Sequence, residues 1–313
     1  MRSVSRALLA LGLPGLLLAA PAAAQGVGRW EARAPMLSQR TEVGGALLGG
    51  LIYIAGGFVP GGVTADVEAY DPAANTWRLR TPLPIAVHHA AAATSGGHLY
   101  IVGGYGAGGS PLNTVFEYDP AADRWRPRAP LPTARGALTV AVMDGRLYAI
   151  GGVGLDGRDT GANEMYDPAL DRWVAHAPLP TPRNHLGAVA VDGLIYVFGG
   201  RTRGANVPVT EVFDPRANAW RSGPPMPTAR SGYGAAAVRG RIFVAGGELG
   251  RPTTYPENEE FDPRSGSWIA RAPMPTPRHG LVGVAGDDRI YFISGGPRPG
   301  GSFSNANEVY IPD

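Results

Sequence analysis

The 313-residue sequence contains no cysteine and no lysine. The first absence excludes disulfides, thiolate metal sites, cysteine nucleophiles and lipoprotein anchoring. The second excludes Schiff-base chemistry on a lysine amine. An excess of either charge is also missing. Outside Arg2 and Arg6, which lie in an N-terminal segment of export type, 26 arginines face 26 acidic residues. Such a balanced chain carries no electrostatic footprint for nucleic acid, and none is expected as a partner. The one long apolar stretch, Ala7 to Ala20, is interrupted by Gly12, Pro14 and Gly15. It falls short of the ~20 residues that span a bilayer. Positive residues precede it, and Ala22-Ala23-Ala24 before Gln25 gives a small-residue cleavage site, so residues 1–24 have the form of a secretory signal peptide. The mature chain, residues 25–313, is then expected to be periplasmic or secreted, monomeric and without a membrane span.

Glycine (46) and proline (30) are abundant, but they fall at regular positions. Six tryptophans, Trp30, Trp77, Trp125, Trp173, Trp220 and Trp268, are spaced by 47, 48, 48, 47 and 48 residues. Gly-Gly pairs keep the same beat at 56, 103, 151, 199, 246 and 295. An aromatic stands three residues before the first five pairs (Tyr53, Tyr100, Tyr148, Tyr196, Phe243) and four before the sixth (Tyr291). A fixed period of this length is the mark of a repeat architecture.

Each unit divides into four short strands. In the third, Leu138 to Val142 is small and apolar, Asp144-Gly145 is a hairpin turn, and Leu147 to Ile150 ends at Gly151-Gly152. Asn163 to Tyr166 follows a variable loop, and Trp173 opens the last strand. No helix-length amphipathic segment intervenes, so the chain is all-β. Four-stranded units arrayed around an axis make a propeller. The last unit stops after its third strand, whereas Trp30 precedes the first complete set. Arg29 to Pro35 is therefore expected to supply the missing fourth strand and remove an open edge.

Gly-Gly after an aromatic strand, then Tyr/Phe-Asp-Pro, then Trp, resembles the kelch repeat over residues 30–313. The resemblance implies a six-bladed kelch-type β-propeller, four antiparallel strands per blade, with the last blade closed by an N-terminal strand. Within that family the chain is similar to exported bacterial proteins of the sialic acid mutarotase type. Galactose oxidase shares the propeller, but its copper site needs a cysteine that this chain lacks.

Comparison between units exposes a second pattern. An arginine stands 13 residues before the strand aromatic in five units, as Arg40, Arg135, Arg183, Arg230 and Arg278. A glutamate stands two residues before the Tyr or Phe of the third strand in five units, as Glu68, Glu164, Glu211, Glu259 and Glu308. The second unit has Val87 and Phe116 in those slots, so both are lost together. This covariation predicts an ion pair inside each blade, with bidentate arginine donors on a carboxylate.

Function is sought where the units differ. The resemblance implies that the loops from fourth to first strand and from second to third strand share one face. Beside the arginine slot stand Thr41, His88, Gly136, Asn184, Ser231 and His279, and one further on Glu42, His89, Ala137, His185, Gly232 and Gly280. After the glycine pairs come Phe58, Tyr105, Val153, Arg201, Glu248 and Pro297. His88, His89, Asn184, His185, Arg201, Ser231, Tyr233, Glu248, His279 and Tyr105 are the candidate binding residues. Their imidazole, carboxylate, guanidinium and aromatic groups suit a polar ligand. Glu248, Glu42 and His185 are the candidate acid–base groups, if the site is catalytic. Neighbouring residues on a strand face opposite ways, which divides the four histidines into His88 with His279 and His89 with His185. A shared metal shell would need carboxylates from other blades, such as Glu42 or Glu248, so no metal is expected, and no cofactor is expected. The function expected is a binding scaffold for a protein, peptide or glycan at the channel mouth. The alternative is a carbohydrate-active enzyme of the mutarotase or epimerase type working by acid–base catalysis.

Overall fold

The innermost strands are built from small residues, GGALL in the first blade and GAAAV in the fifth, because they crowd around one axis. A computed structural model describes residues 28–250 and 252–313, and the segment of signal-peptide form lies outside them. The crowding is tight: a Cβ on Gly234 would lie 2.8 Å from the amide nitrogen of Gly283 in the next blade. Six four-stranded antiparallel sheets result. Blade 1 comprises Gly44–Leu48, Leu51–Ala55, Val67–Asp71 and Thr76–Arg80. Blades 2 to 5 repeat this order, with inner strands at Ala91–Ser95, Thr139–Met143, Gly187–Val191 and Gly234–Val238. None of the described residues is helical, and no helix among them is long and apolar enough to cross a membrane.

Blade 6 closes the ring. Val282–Gly286, Arg289–Ile293 and Asn307–Ile311 are completed by Arg29–Ala32, with Trp30 opposite Tyr310. The closing strand is shorter than the Arg29 to Pro35 span expected from sequence. Beyond it the Arg33 amide still bonds the Asn307 carbonyl at 2.9 Å.

Second strands are buried at their last four positions in every blade, since they lie between neighbouring sheets. Fourth strands are the most exposed. The repeated tryptophan joins one blade to the one before it. Each indole N–H donates to a carbonyl there: Trp77 to Ala34 (2.7 Å), Trp125 to Thr81 (2.9 Å), Trp173 to Ala129 (2.9 Å), Trp220 to Ala177 (2.7 Å), Trp268 to Pro224 (3.2 Å) and Trp30 to Ala272 (2.8 Å). Each ring also packs on the Tyr or Phe of its own third strand, 4.9 Å away for Tyr70 and Trp77. The intervening Asp-Pro makes the turn, where Asp71 Oδ1 accepts the amides of Ala73 and Ala74.

All five arginine–glutamate pairs form within their blades. Arg40 meets Glu68 at 2.7 Å, Arg135 meets Glu164 at 2.5 Å, Arg230 meets Glu259 at 2.6 Å, Arg278 meets Glu308 at 2.8 Å, and Arg183 meets Glu211. The five arginines are fully buried. Their remaining N–H groups reach strand carbonyls, as when Arg135 donates to Gly151 and Ala149. Removing one partner would strand a buried charge, at ~3–5 kcal/mol. In blade 2, Val87 and Phe116 are buried in the same slots without a charge. That blade carries a different network on its neighbouring residue. Glu117, fully buried, accepts from Tyr100, Arg126 and Arg128. The between-unit comparison gave no sign of it.

Candidate functional site at the axial mouth

Six residues, one from each blade entrance, form a closed circle of backbone hydrogen bonds around the axis. The amide of His89 donates to Glu42, Ala137 to His89, His185 to Ala137, Gly232 to His185, Gly280 to Gly232, and Glu42 back to Gly280, over 2.7–3.0 Å. All six have left-handed φ: 56° at Glu42, 53° at His89, 53° at Ala137, 50° at His185, 65° at Gly232 and 63° at Gly280. The turn fits the inner strands into the ring, and glycine adopts it freely. An L-residue there costs ~1–2 kcal/mol. Glutamate, histidine, alanine and histidine are held at four of these positions despite that cost.

The left-handed turn also redirects the side chains. His88 and His89 do not face opposite ways, as strand alternation had implied. Their Nδ1 atoms lie 2.6 Å apart. His88 is stacked between Phe58 (centroids 4.0 Å) and Tyr105 (5.3 Å), giving the mouth an aromatic wall.

Around the axis the side chains form a second circle, built from loops of different blades. Glu42 Oε2 lies 3.2 Å from His89 Nε2. The His89 ring meets the His185 ring edge to face at 4.9 Å. Arg201 donates to His185 Nε2 at 2.7 Å and faces Glu248 Oε1 at 3.4 Å. His279 Nδ1 then stands 3.4 Å from Glu248 Oε2 and 3.4 Å from Glu42 Oε1, completing the circle. Asn184 supports it, accepting from Arg201 Nε at 3.2 Å and bonding His185 Nδ1 and Asp159. The amide of Gly300, in a loop of blade 6, reaches Glu248 Oε2 at 3.0 Å. Below the mouth runs an open axial channel of about 220 Å³, lined by Glu42, His89 and His185 and by the inner strands.

The electrostatics follow from burial and these neighbours. Burial alone would raise Glu42, but His89, His279 and His185 outweigh it and hold the carboxyl well below its ordinary range. Burial lowers His185 strongly, with help from His89 and Arg201. His89 is lowered by burial and Arg201 against the pull of Glu42. Burial and His89 push His88 down to about 4. His279 alone goes the other way: burial opposes its charge, but Glu42 and Glu248 raise it.

Glu42, His185 and Glu248 are thus brought into one cluster, together with His89, Arg201, Asn184 and His279. Two candidates stand apart from it. Ser231 is fully buried and holds the Glu248 backbone in place. The Tyr233 hydroxyl donates to the Phe198 carbonyl and accepts the Gly187 amide, so it ties blades 4 and 5 together. In blade 6 the two left-handed positions are Ser294 and Gly295, not Gly295 and Gly296. Tyr291 therefore stands three residues before the pair, as in the other blades. The rim position belongs to Gly296, which bridges to His279, rather than to Pro297.

The Kelch motif family model matches residues 39–84, 86–132, 134–180, 182–227 and 229–275. A search of curated proteins finds no match. Among solved structures the chain is similar to one titled "Structure of YjhT", at 17% identity and a TM-score of 0.78, covering 88% of this chain and 96% of that one. At that identity the likeness speaks for the fold alone.

Proposed function

Because the chain belongs to the kelch family of β-propellers, we propose that it is a binding propeller whose axial mouth takes a small polyhydroxylated ligand, a free sugar or the terminal sugar of a glycan. The observation that supports this is the convergence of Glu42, His185 and Glu248 in one side-chain circle with Arg201 and His279. Carboxylates accept, guanidinium and imidazole donate, and a hydroxyl can do both. The two carboxylates are faced by Arg201 and by His279, so the circle offers both donors and acceptors to a hydroxylated ligand. Phe58 and Tyr105 flank it with apolar ring surface. The adjoining channel, lined by Glu42, His89 and His185 and by the inner strands, measures about 220 Å³, below the ~300–1,000 Å³ of drug-sized pockets, and so has room for a small ligand rather than a folded partner. An exported location for the mature chain is part of the same proposal. A mature N-terminus at Gln25 is the result that location requires.

Calorimetric titration with a panel of neutral and acidic monosaccharides tests the reading. Saturable binding to the parent, weakened at least tenfold in Arg201→Gln, is expected. Binding to peptides but to no sugar would overturn it.

A second reading is supported by the tight grouping of Glu42, His89 and His185, whose ligating atoms lie within 4.8 Å of one another. A carboxylate and an imidazole that close can act as base and acid on a hemiacetal hydroxyl. Anomer exchange of the bound sugar, followed by NMR, should then exceed the solvent rate and fall in Glu42→Gln while binding persists. Exchange at the solvent rate in the parent would leave only the binding role.

A further inference from the structure

We propose that the mouth is also a metal centre, in which Glu42 Oε1, Glu248 Oε2 and His279 Nδ1 hold one first-row divalent cation of the zinc class. His279 is 2% exposed, yet neither ring nitrogen makes a hydrogen bond. A buried polar group that faces acceptors without forming an aligned hydrogen bond ordinarily costs stability. Its Nδ1 stands 3.4 Å from each of the two carboxylate oxygens. That is long for an N–H···O bond, which prefers ~2.7–3.2 Å. It is the spacing of donor atoms around a tetrahedral ion, because bonds of ~2.1 Å place neighbouring donors ~3.4 Å apart.

The surroundings are those of a prepared site. Each carboxylate directs one oxygen to the common point and has the other held from outside, Glu42 Oε2 by His89 and Glu248 Oε1 by Arg201. Gly300 N–H adds a bond to Glu248 Oε2. Supports of this kind fix the orientation of metal ligands. The three donors come from different blades, and the backbones of His279 and Glu248 are pinned by bridges to Gly296 and Ser231. A Cβ on Gly280 would fall 2.7 Å from Glu42 Oε1, so glycine there keeps that oxygen accessible from the axis. An ion bound at His279 Nδ1 displaces any proton there, and the two carboxylates then balance the divalent charge. The donor set lacks thiolate and mixes imidazole with carboxylate, a combination that suits zinc or manganese.

Glu42, His89 and His185 form a rival set of similar compactness. There His185 Nε2 already accepts from Arg201 at 2.7 Å, which occupies its lone pair and sets a guanidinium beside the ion. In the set containing His279 the guanidinium touches only the outward Glu248 Oε1, and neither ring nitrogen of His279 accepts a donor.

The test uses the untagged chain, stripped with a chelator, and Zn²⁺ alone as probe. Calorimetry should give one site per chain. His279→Ala and Glu248→Gln should each weaken it by more than ~100-fold, beyond the ~10–100-fold typical of outer-shell changes. His185→Gln should change it by less than ~10-fold. Cobalt substitution should show the visible absorption of a tetrahedral N/O site in the parent. No stoichiometric binding, or binding retained in both ligand variants, would overturn the proposal. Loss in His185→Gln with retention in His279→Ala would assign the ion to the rival set and overturn it equally. Glu248→Gln keeps the size and the Gly300 contact, so it serves if the alanine variant does not fold. Sugar binding to the chelator-treated chain is measured separately, so either reading can fail without the other.

Discussion

Replacing Ala137 with glycine should leave the fold as stable as before or slightly more so, although the residue is buried and its methyl is lost. Ala137 has φ 53° and shares the closed hydrogen-bond circle with His89 and His185. Three terms decide the outcome. Relief of left-handed strain contributes ~1–2 kcal/mol. The extra freedom of glycine in the unfolded chain costs ~0.5–1 kcal/mol. The lost methyl costs up to ~0.8 kcal/mol. The sum lies near zero. Ala141 supplies the control. It is 4% exposed against 5% for Ala137, and it lies in the regular inner strand of the same blade. Ala141→Gly suffers the second and third terms without the first, so it should be less stable than Ala137→Gly by ~1–2 kcal/mol. At ~2–4 °C per kcal/mol for chains of 150–250 residues, the two melting temperatures should differ by a few degrees, detectable by thermal circular dichroism or calorimetry. Equal losses would show that the circle is unstrained. His185→Gly extends the test: the fold should tolerate it while sugar binding fails.

Glu164→Gln should destabilise the fold by ~3–5 kcal/mol because Arg135 is left charged and buried, whereas the double change Arg135→Val with Glu164→Phe, which copies blade 2, should cost less than either single change in urea denaturation. A chain beginning at Arg33 loses the strand that pairs with Asn307–Ile311, and its melting temperature should fall for the whole ring rather than for one blade. Burial would raise Glu117, but Arg128, Arg126 and Tyr100 hold its carboxyl below the ordinary 4.5. A depressed folded pKa contributes stability above the unfolded value and loses it on acidification. Glu117→Gln should therefore melt lower than the parent at pH 7, and the gap should close as pH falls below 4.5; a gap that widens in acid would contradict the assignment.

The parts of the fold legible in the sequence are those that repeat. Six tryptophans, six glycine pairs and the shared loss of Arg and Glu at Val87 and Phe116 are comparisons along one chain, and each corresponds to a contact inside a blade or between consecutive blades. The mouth does not repeat. Its residues could be named, because they are the positions where blades differ, but their arrangement could not. Glu42, His89, Ala137 and His185 do not announce a left-handed backbone; only Gly232 and Gly280 hint at it. Strand alternation therefore mispaired the histidines. The sixth blade misled for a related reason: Ser294 takes a left-handed position that glycine fills elsewhere, which shifted the rim by one residue. Contacts such as Arg201 with Glu248, and Gly300 with Glu248, join loops about fifty residues apart and carry no local signal.

The central claim is that ligand docks at the axis, and imidazole NMR tests it most directly. Of the six histidines, His88, His89, His185 and His279 line the mouth, while His98 lies against Glu117 and His176 against Asn218. Titration of the labelled chain with a binding sugar should shift the ring resonances of the mouth histidines and leave those of His98 and His176 in place. Shifts confined to His98 or His176, or none at saturating sugar, would contradict the account.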